Sequence, residues 1–234
     1  PGTYTYPTNA VFQPGMFDLK HVNIALVDTD LVFHIGISGT VDNAWNSPLG
    51  LSVQTFDIYI DKDPGRSTGE RRLLEGRNAA LPQSDGWEYA LWVEGWNQQV
   101  LTSNGQGAFT AQAGTQVKVE VNPTGSVTIK VPLAALGDGD PTQWGYAIAV
   151  LGQENNPAAG VRRVRDVSQA ATEWSIGGAP DDTNHTRIID ALVPAGATLS
   201  QEDALSKYPA SQEKNISQLG PDSYGTLPLV TIGQ

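Results

Sequence analysis

The sequence predicts an all-β protein: an antiparallel β-sandwich with long loops and a short C-terminal helix. Apolar residues alternate with polar ones from Leu19 to Leu151, the period of half-buried strands. Twenty-five Gly and 15 Pro among 234 residues punctuate that alternation, and only 17% of residues are charged, which suits short strands joined by turns. Residues 1–18 are turn-rich. Leu19–Val27 follows as a strand with Val22, Ile24 and Leu26 on one face, Asp28-Thr29-Asp30 turns the chain, and Leu31–Ser38 returns with Leu31, Phe33, Ile35 and Ile37 toward the core. Residues 40–53 form an insertion containing Trp45. Phe56–Asp61 is the next strand, and Lys62–Gly86 reads as a long loop, uncommon unless functional. Trp87–Gly95 and Gln98–Thr102 are strands. Val117, Val119 and Val121 pair with Val127, Ile129 and Val131 around Asn122–Gly125. A helical turn ending at Gly137 precedes a strand over Trp144–Leu151. From about residue 152 the pattern weakens. Ser200 caps a short helix to Lys207, and Leu227–Ile232 is an edge strand, since Pro228 cannot donate to a central ladder. With no repeat or linker, the expectation is a single domain over 1–234 with a less regular extension from about 152.

Composition excludes several classes. A net charge of −11 opposes nucleic acid, whose phosphates require basic stripes, and opposes docking on anionic lipid; it fits cation binding and solubility outside the cell. The absence of cysteine removes disulfides, thiolate metal sites and thiol nucleophiles. No apolar run is long enough to insert into a membrane. Residue 1 is Pro and no signal peptide is visible, as expected of a mature or excised piece. The tripeptides at Asn184 and Asn215 are glycosylation sequons of a kind common by chance.

Chemistry concentrates in residues 57–96. Alternation assigns Trp87, Tyr89, Leu91 and Val93 to the core and Glu88, Ala90, Trp92, Glu94 and Trp96 to the opposite face. Trp92 and Trp96 would stand ~13 Å apart at ~3.3 Å per residue, a spacing suited to two stacking platforms along an oligosaccharide. Glu88 and Glu94 would supply polar contacts, with Trp45 and Tyr59 joining from the insertion and the neighbouring strand. The competing reading buries Trp92 and Trp96 beneath the 62–86 loop. Glu88 and Glu94 are not a hydrolase dyad: six residues along a strand place them ~20 Å apart, whereas glycosidase carboxyls stand within about 10 Å. Asp57, Asp61 and Asp63 offer oxygen ligands to a hard cation, with Asp28/Asp30 and Asp138/Asp140 as rivals. His21, His34 and His185 show no ligand spacing and read as surface histidines. Arg162, Arg163 and Arg165 form the one basic cluster, placed to neutralise acidic surroundings.

Several long motifs carry a resemblance. "NAWNSPLGLSVQTFDIYID" (43–61), "LLEGRNA" (73–79), "WEYALWVEGW" (87–96), the opening "PGTYTYPTNAVFQPGMFDL" (1–19), "VRRVRDVSQAATEWSIGG" (161–178) and the 188–208 segment resemble the C-terminal domain of glucodextranase over nearly the whole chain. Related modules end secreted pullulanase-like enzymes and are similar to DOMON and family 9 carbohydrate-binding modules, which are β-sandwiches. The resemblance implies a non-catalytic, extracellular or cell-surface module that binds a polysaccharide or oligosaccharide (an α-glucan or a wall polymer), is stabilised by calcium, and is joined to other domains of one polypeptide. No glycosidase domain is expected within these 234 residues, so the usual enzyme partner is either missing or on another part of the polypeptide. Two alternatives stand beside it: a structural S-layer-like or filament assembly domain, and a haem-binding DOMON domain with Met16 and the neighbouring Lys20 or His21 as ligands.

Overall fold

The computed structural model describes residues 3–105, 107–114, 117–194, 196–197 and 199–232, so both ends of the domain expected over 1–234 lie outside the described residues. Within them the alternating segments are strands. β1 (Leu19–Val27) and β2 (Asp30–Ile37) make the expected hairpin, closing at Val27↔Asp30 with Asp28 in the left-handed region. The core side of β1 stops at Ile24, because Leu26 lies at the hairpin tip and is 50% exposed. The further strands are β3 (Gln54–Asp61), β4 (Ala79–Ala80), β5 (Tyr89–Glu94), β6 (Asn97–Ser103), β7 (Phe109–Ala111), β8 (Lys118–Asn122), β9 (Ser126–Pro132), β10 (Gly145–Gly152), β11 (Ile188–Ala191) and β12 (Gly225–Thr226).

Two antiparallel sheets form the sandwich. One has the order β1-β2-β9-β8, the other β11-β10-β3-β5-β6-β7. Their facing sides meet in a core of Leu31, Phe33 and Ile35 of β2, Val127, Ile129 and Val131 of β9, Phe56, Ile58 and Ile60 of β3, and Tyr146, Ile148 and Val150 of β10. These are the residues that period-two alternation selects. Met16 is fully buried in this core and its sulfur accepts the Gln13 N–H, which leaves the haem reading without an open ligand at this residue.

The six-stranded sheet is also covered on its outer face, so every residue of β3 and β10 is buried. Small residues on that face, Ala90, Ala147 and Ala149, let a second layer approach closely. The layer consists of Leu73, Leu74 and Leu81 from the 62–86 segment with Val164 and Leu227 from the later chain, packed on Tyr59, Trp92 and Leu151. Lys62–Gly86 is therefore a cover rather than a free loop, pinned by the parallel β4–β12 pair and by bridges from Glu70 to Trp87 and Arg72 to Ala80. The bridge to Glu70 takes Trp87 out of β5, and its ring packs in the outer layer instead of beside Leu91. The extension after 152 contributes β11 and helix α1 (Gln201–Ser206), whose first turn is capped by Ser200 Oγ accepting the Asp203 N–H at 3.0 Å. Leu227–Ile232 is not a continuous strand: β12 ends before Pro228, and Val230 makes a single bridge to Tyr146. Asn184 is fully buried, with its side-chain nitrogen donating to the Pro209 and Ser223 carbonyls.

At the centre of the outer face Asp57 forms a fully buried, two-pronged ion pair with Arg77, Nε–Oδ2 2.6 Å and Nη2–Oδ1 3.0 Å, and also accepts the Tyr59 hydroxyl at 3.0 Å. Arg77 Nη1 donates to the Glu75 and Arg162 carbonyls, tying three segments together. Removing one member strands the other charge in a dry interior. Arg77→Met and Asp57→Asn are each expected to cost about 3–5 kcal/mol, and the double variant Asp57→Asn/Arg77→Met less than the two single losses added together. Chemical denaturation of the four proteins checks this.

Candidate functional site

The acidic turn after β3 assembles three carboxylates. One oxygen each from Asp61, Asp63 and Glu88 lie within 4.8 Å of one another. Asp61 closes β3 and Glu88 immediately precedes β5, so the strand pairing brings them together. Asp61 accepts the Asp63 N–H at 2.9 Å and the Gly86 N–H at 3.1 Å, and Glu88 accepts the Lys62 N–H at 2.9 Å. Gly86 is required for this approach, since a Cβ there would lie 1.9 Å from the Thr68 carbonyl oxygen. Asp61 is 1% exposed; burial, reinforced by the nearby Glu88 and Asp85 charges, raises its pKa from 3.8 to about 6. Burial and the Asp63 charge raise Glu88 as well. An all-oxygen anionic set that resists ionising alone matches a hard divalent cation.

Of the aspartates expected as ligands, Asp57 is not part of this cluster. It lies four residues back along β3, ~13 Å away at ~3.3 Å per residue, and its charge is taken by Arg77. Among the rivals, Asp140 instead caps the turn at Thr142, accepting its N–H at 3.0 Å and its hydroxyl at 2.7 Å. Carbonyls of residues 136–138 are held by Lys62 Nζ.

The aromatic platform expected on β5 is dispersed. Trp92 is 6% exposed and lies between Arg77 and Arg162, whose guanidinium carbons are 5.9 and 5.2 Å from its ring centroid. Tyr59 is buried in the same layer, and Glu94 is buried and paired with Arg163 at 2.9 Å. Glu88 belongs to the acidic turn at the other end of β5. The reason is common to all: the outer face of the sheet is covered. Trp96 escapes because it sits with Gly95 in the two-residue turn joining β5 to β6, where strand alternation no longer applies; it is 37% exposed.

Trp45 belongs to a different constellation. Its ring lies 6.4 Å from that of Trp174, tilted by 51°, and the two border a groove of about 440 Å³ with Glu154, Asn155, Asn156 and Arg165. Trp174 is 43% exposed and rests edge-on against Phe12, centroids 6.1 Å apart. Its carbonyl accepts Arg165 Nη1 at 2.6 Å, and the same guanidinium stacks 4.8 Å over Phe12 and meets Glu154 at 3.0 Å. Trp45 is held from the other side, its N–H donating to Ser52 Oγ, with Asn43 bracing Ser47. The backbone of both tryptophans is thus held in place, and the Trp174 ring is braced by Phe12 and Trp45. The basic cluster neutralises glutamates as expected, Arg162 with Glu75, Arg163 with Glu94 and Arg165 with Glu154. Sequence reasoning missed Trp174 as a site residue; the only signal was its place in the 161–178 motif, in a loop with no strand periodicity. His21 and His34 lie 6.0 Å apart across β1 and β2, while His185 is tucked against Asp182 and the Val167 carbonyl. No helix among the described residues is long and apolar enough to cross a membrane.

A family model described as the C-terminal binding module, SLH-like, of glucodextranase matches residues 1–219. No curated protein matches the chain.

The acidic turn sets a pH dependence. With the folded-state pKa of Asp61 raised above 3.8, the stability contributed by its proton is fully present below that value and lost as pH rises through about 6. In chelator, melting temperature is expected to fall between about pH 4 and about pH 7, and Asp61→Asn to flatten that step. Calorimetry across the range checks it.

Proposed function

The chain belongs to the family of the SLH-like C-terminal binding module of glucodextranase, and on that premise we propose that it is a non-catalytic carbohydrate-binding module whose ligand stacks in the Trp45–Trp174 groove. The observation that carries this reading is the pair of adjacent tryptophans bordering one groove beside Asn155, Asn156 and Glu154. Axial C–H groups of a pyranose carry partial positive charge and meet the negative face of an indole. Hydroxyls flanking them need amide and carboxylate partners at the rim, and the groove supplies both. A mostly preformed concave site with a few convergent polar groups is the general form of a small-ligand pocket. The acidic composition, with its net charge of −11, agrees with an extracellular or cell-surface module attached to other domains of its polypeptide and presented to an α-glucan or wall polysaccharide. Reading the extension after residue 152 as part of the same unit is supported by the pairing of β11 and β12 with earlier strands.

Calcium is the cation we assign to the Asp61, Asp63 and Glu88 oxygens, as a structural ion at the end of the sandwich away from the groove. A ligand bound only by the native state adds RT ln(1 + [L]/Kd), about 2.7 kcal/mol at a hundredfold excess. Calcium is expected to raise the melting temperature near neutral pH, where all three carboxylates must ionise, and to do so less in acid.

Affinity electrophoresis against soluble α-glucans and wall polysaccharides tests the binding reading. Trp174→Ala is expected to weaken binding by roughly 1–3 kcal/mol, the scale of one buried apolar side chain, with little change in melting temperature. Trp92→Ala is the contrasting control: it leaves a cavity and is expected to lose about 3–5 kcal/mol of stability. Retention of affinity in Trp174→Ala would remove the groove from the account.

A further inference from the structure

Among the described residues four large apolar side chains are exposed: Leu26, Val27, Trp96 and Trp174. Leu26 and Val27 flank the β1–β2 turn, where Thr29 accepts the Leu133 N–H; that segment continues into the carbonyls gripped by Lys62, at the acidic end of the molecule. The two tryptophans lie at the other end and are joined by one residue. The Arg163 guanidinium carbon is 5.9 Å from the Trp96 ring centroid, and Arg163 Nη2 donates to Asn155 Oδ1 at 2.7 Å, Asn155 being part of the groove that Trp45 and Trp174 border.

Arg163 is not free to leave this position. Its Nε donates to the fully buried Glu94 at 2.9 Å, and a carboxylate in the interior requires a charged partner. Its backbone is held at φ 46°, the left-handed region that long side chains seldom adopt, and such conformations persist where the surroundings over-determine them and cluster at ligand sites. Glu94 also accepts the Trp96 N–H at 3.0 Å, so one buried carboxylate sets both Trp96 and Arg163. Gly95 is needed for that turn, since a Cβ there would lie 2.1 Å from the Leu51 carbonyl oxygen.

Resting on the groove reading above, we propose that Trp96 and the Trp45–Trp174 groove are two ends of one elongated platform with Arg163 as the ridge between them, and that its ligand is an uncharged linear oligosaccharide spanning both rather than a single terminal sugar. The charge state of the ligand follows from the pairs on the platform. Arg163 is neutralised by Glu94 and the buried Arg165 by Glu154, so neither leaves excess positive charge to attract a polyanion, and the partly exposed Arg163 is the guanidinium that a hydroxyl or ring oxygen can meet. The net charge of −11 further repels an acidic chain.

The test is a length series. Linear neutral gluco-oligosaccharides from monosaccharide to heptasaccharide are titrated by calorimetry into the wild type, Trp96→Ala and Arg163→Lys, each checked by its melting curve. In the wild type, affinity is expected to climb by about tenfold or more between the shortest and longest chains and then level off. Trp96→Ala is expected to keep the short-chain affinity and lose the gain with length. Arg163→Lys keeps a charge beside Glu94 but not the planar fork, and is expected to lose the same gain; it reports independently should Trp96→Ala fold poorly. An unchanged length dependence in both variants, equal affinity for monosaccharide and heptasaccharide, or stronger binding of an anionic glycan of equal length would overturn the proposal while leaving the groove reading standing. No binding at any length by the wild type overturns the groove reading, and this one with it.

Discussion

The double burial of the six-stranded sheet is the constraint on which the rest depends, and the Asp57–Arg77 pair is its anchor. A strand with both faces covered must satisfy any polar group it carries inside the protein. Asp57, opposite Trp92 in the ladder, does so through Arg77 and Tyr59. Arg77 then fixes the carbonyls of Glu75 and Arg162, which sets the 62–86 cover against the segment leading to Arg163 and Arg165. A hydrophobic replacement of such a pair is often tolerated, whereas removal of one partner is not. The pair therefore serves register more than net stability: it defines which part of the cover sits over which part of the sheet.

From that arrangement the molecule acquires two unlike ends. At one, the termination of β3 and the entry to β5 crowd Asp61, Asp63 and Glu88 together. At the other, the β5–β6 turn, the insertion before β3 and the loop after β10 raise Trp96, Trp45 and Trp174. The acids are costly to ionise together, a cost that the cation proposed for this end, away from the groove, would offset. Trp96 and Trp174 present apolar area on the surface of an acidic protein, which is where the proposed ligand would be met.

The three arginines of 162–165 link the buried outer layer to the groove. Each neutralises one glutamate, and each also lies against an aromatic ring: Arg162 on Trp92, Arg163 on Trp96, Arg165 on Phe12. Stability and the proposed recognition surface share one short segment, in which Arg162 faces the buried layer, Arg165 lines the groove and Arg163 bonds Asn155 of its wall. Arg165 is both a wall of the groove and a buried structural member, bonded to the carbonyls of Gln153 and Trp174.

Much of the fold was legible in the sequence. Period-two alternation in β2, β3, β9 and β10 named the inner core, the Asn122–Gly125 turn named a hairpin, and Ser200 named the start of the helix, because each is a property of neighbours a few residues apart. The carboxylates Asp61 and Asp63 were visible for the same reason. The reach of that signal ends at the surface of a single strand. Alternation states that Trp92, Glu94 and Tyr59 point away from the inner core; it does not state whether a distant segment covers them, and here one does. Glu88 joined the acidic turn, and Trp45 joined Trp174, only because strand pairing and loop packing brought together residues far apart in the chain. Which side chains face the core is thus local chemistry, carried by the sequence itself. Which of the others meet solvent is decided by the outer layer, whose position depends on long-range burial and on one ion pair.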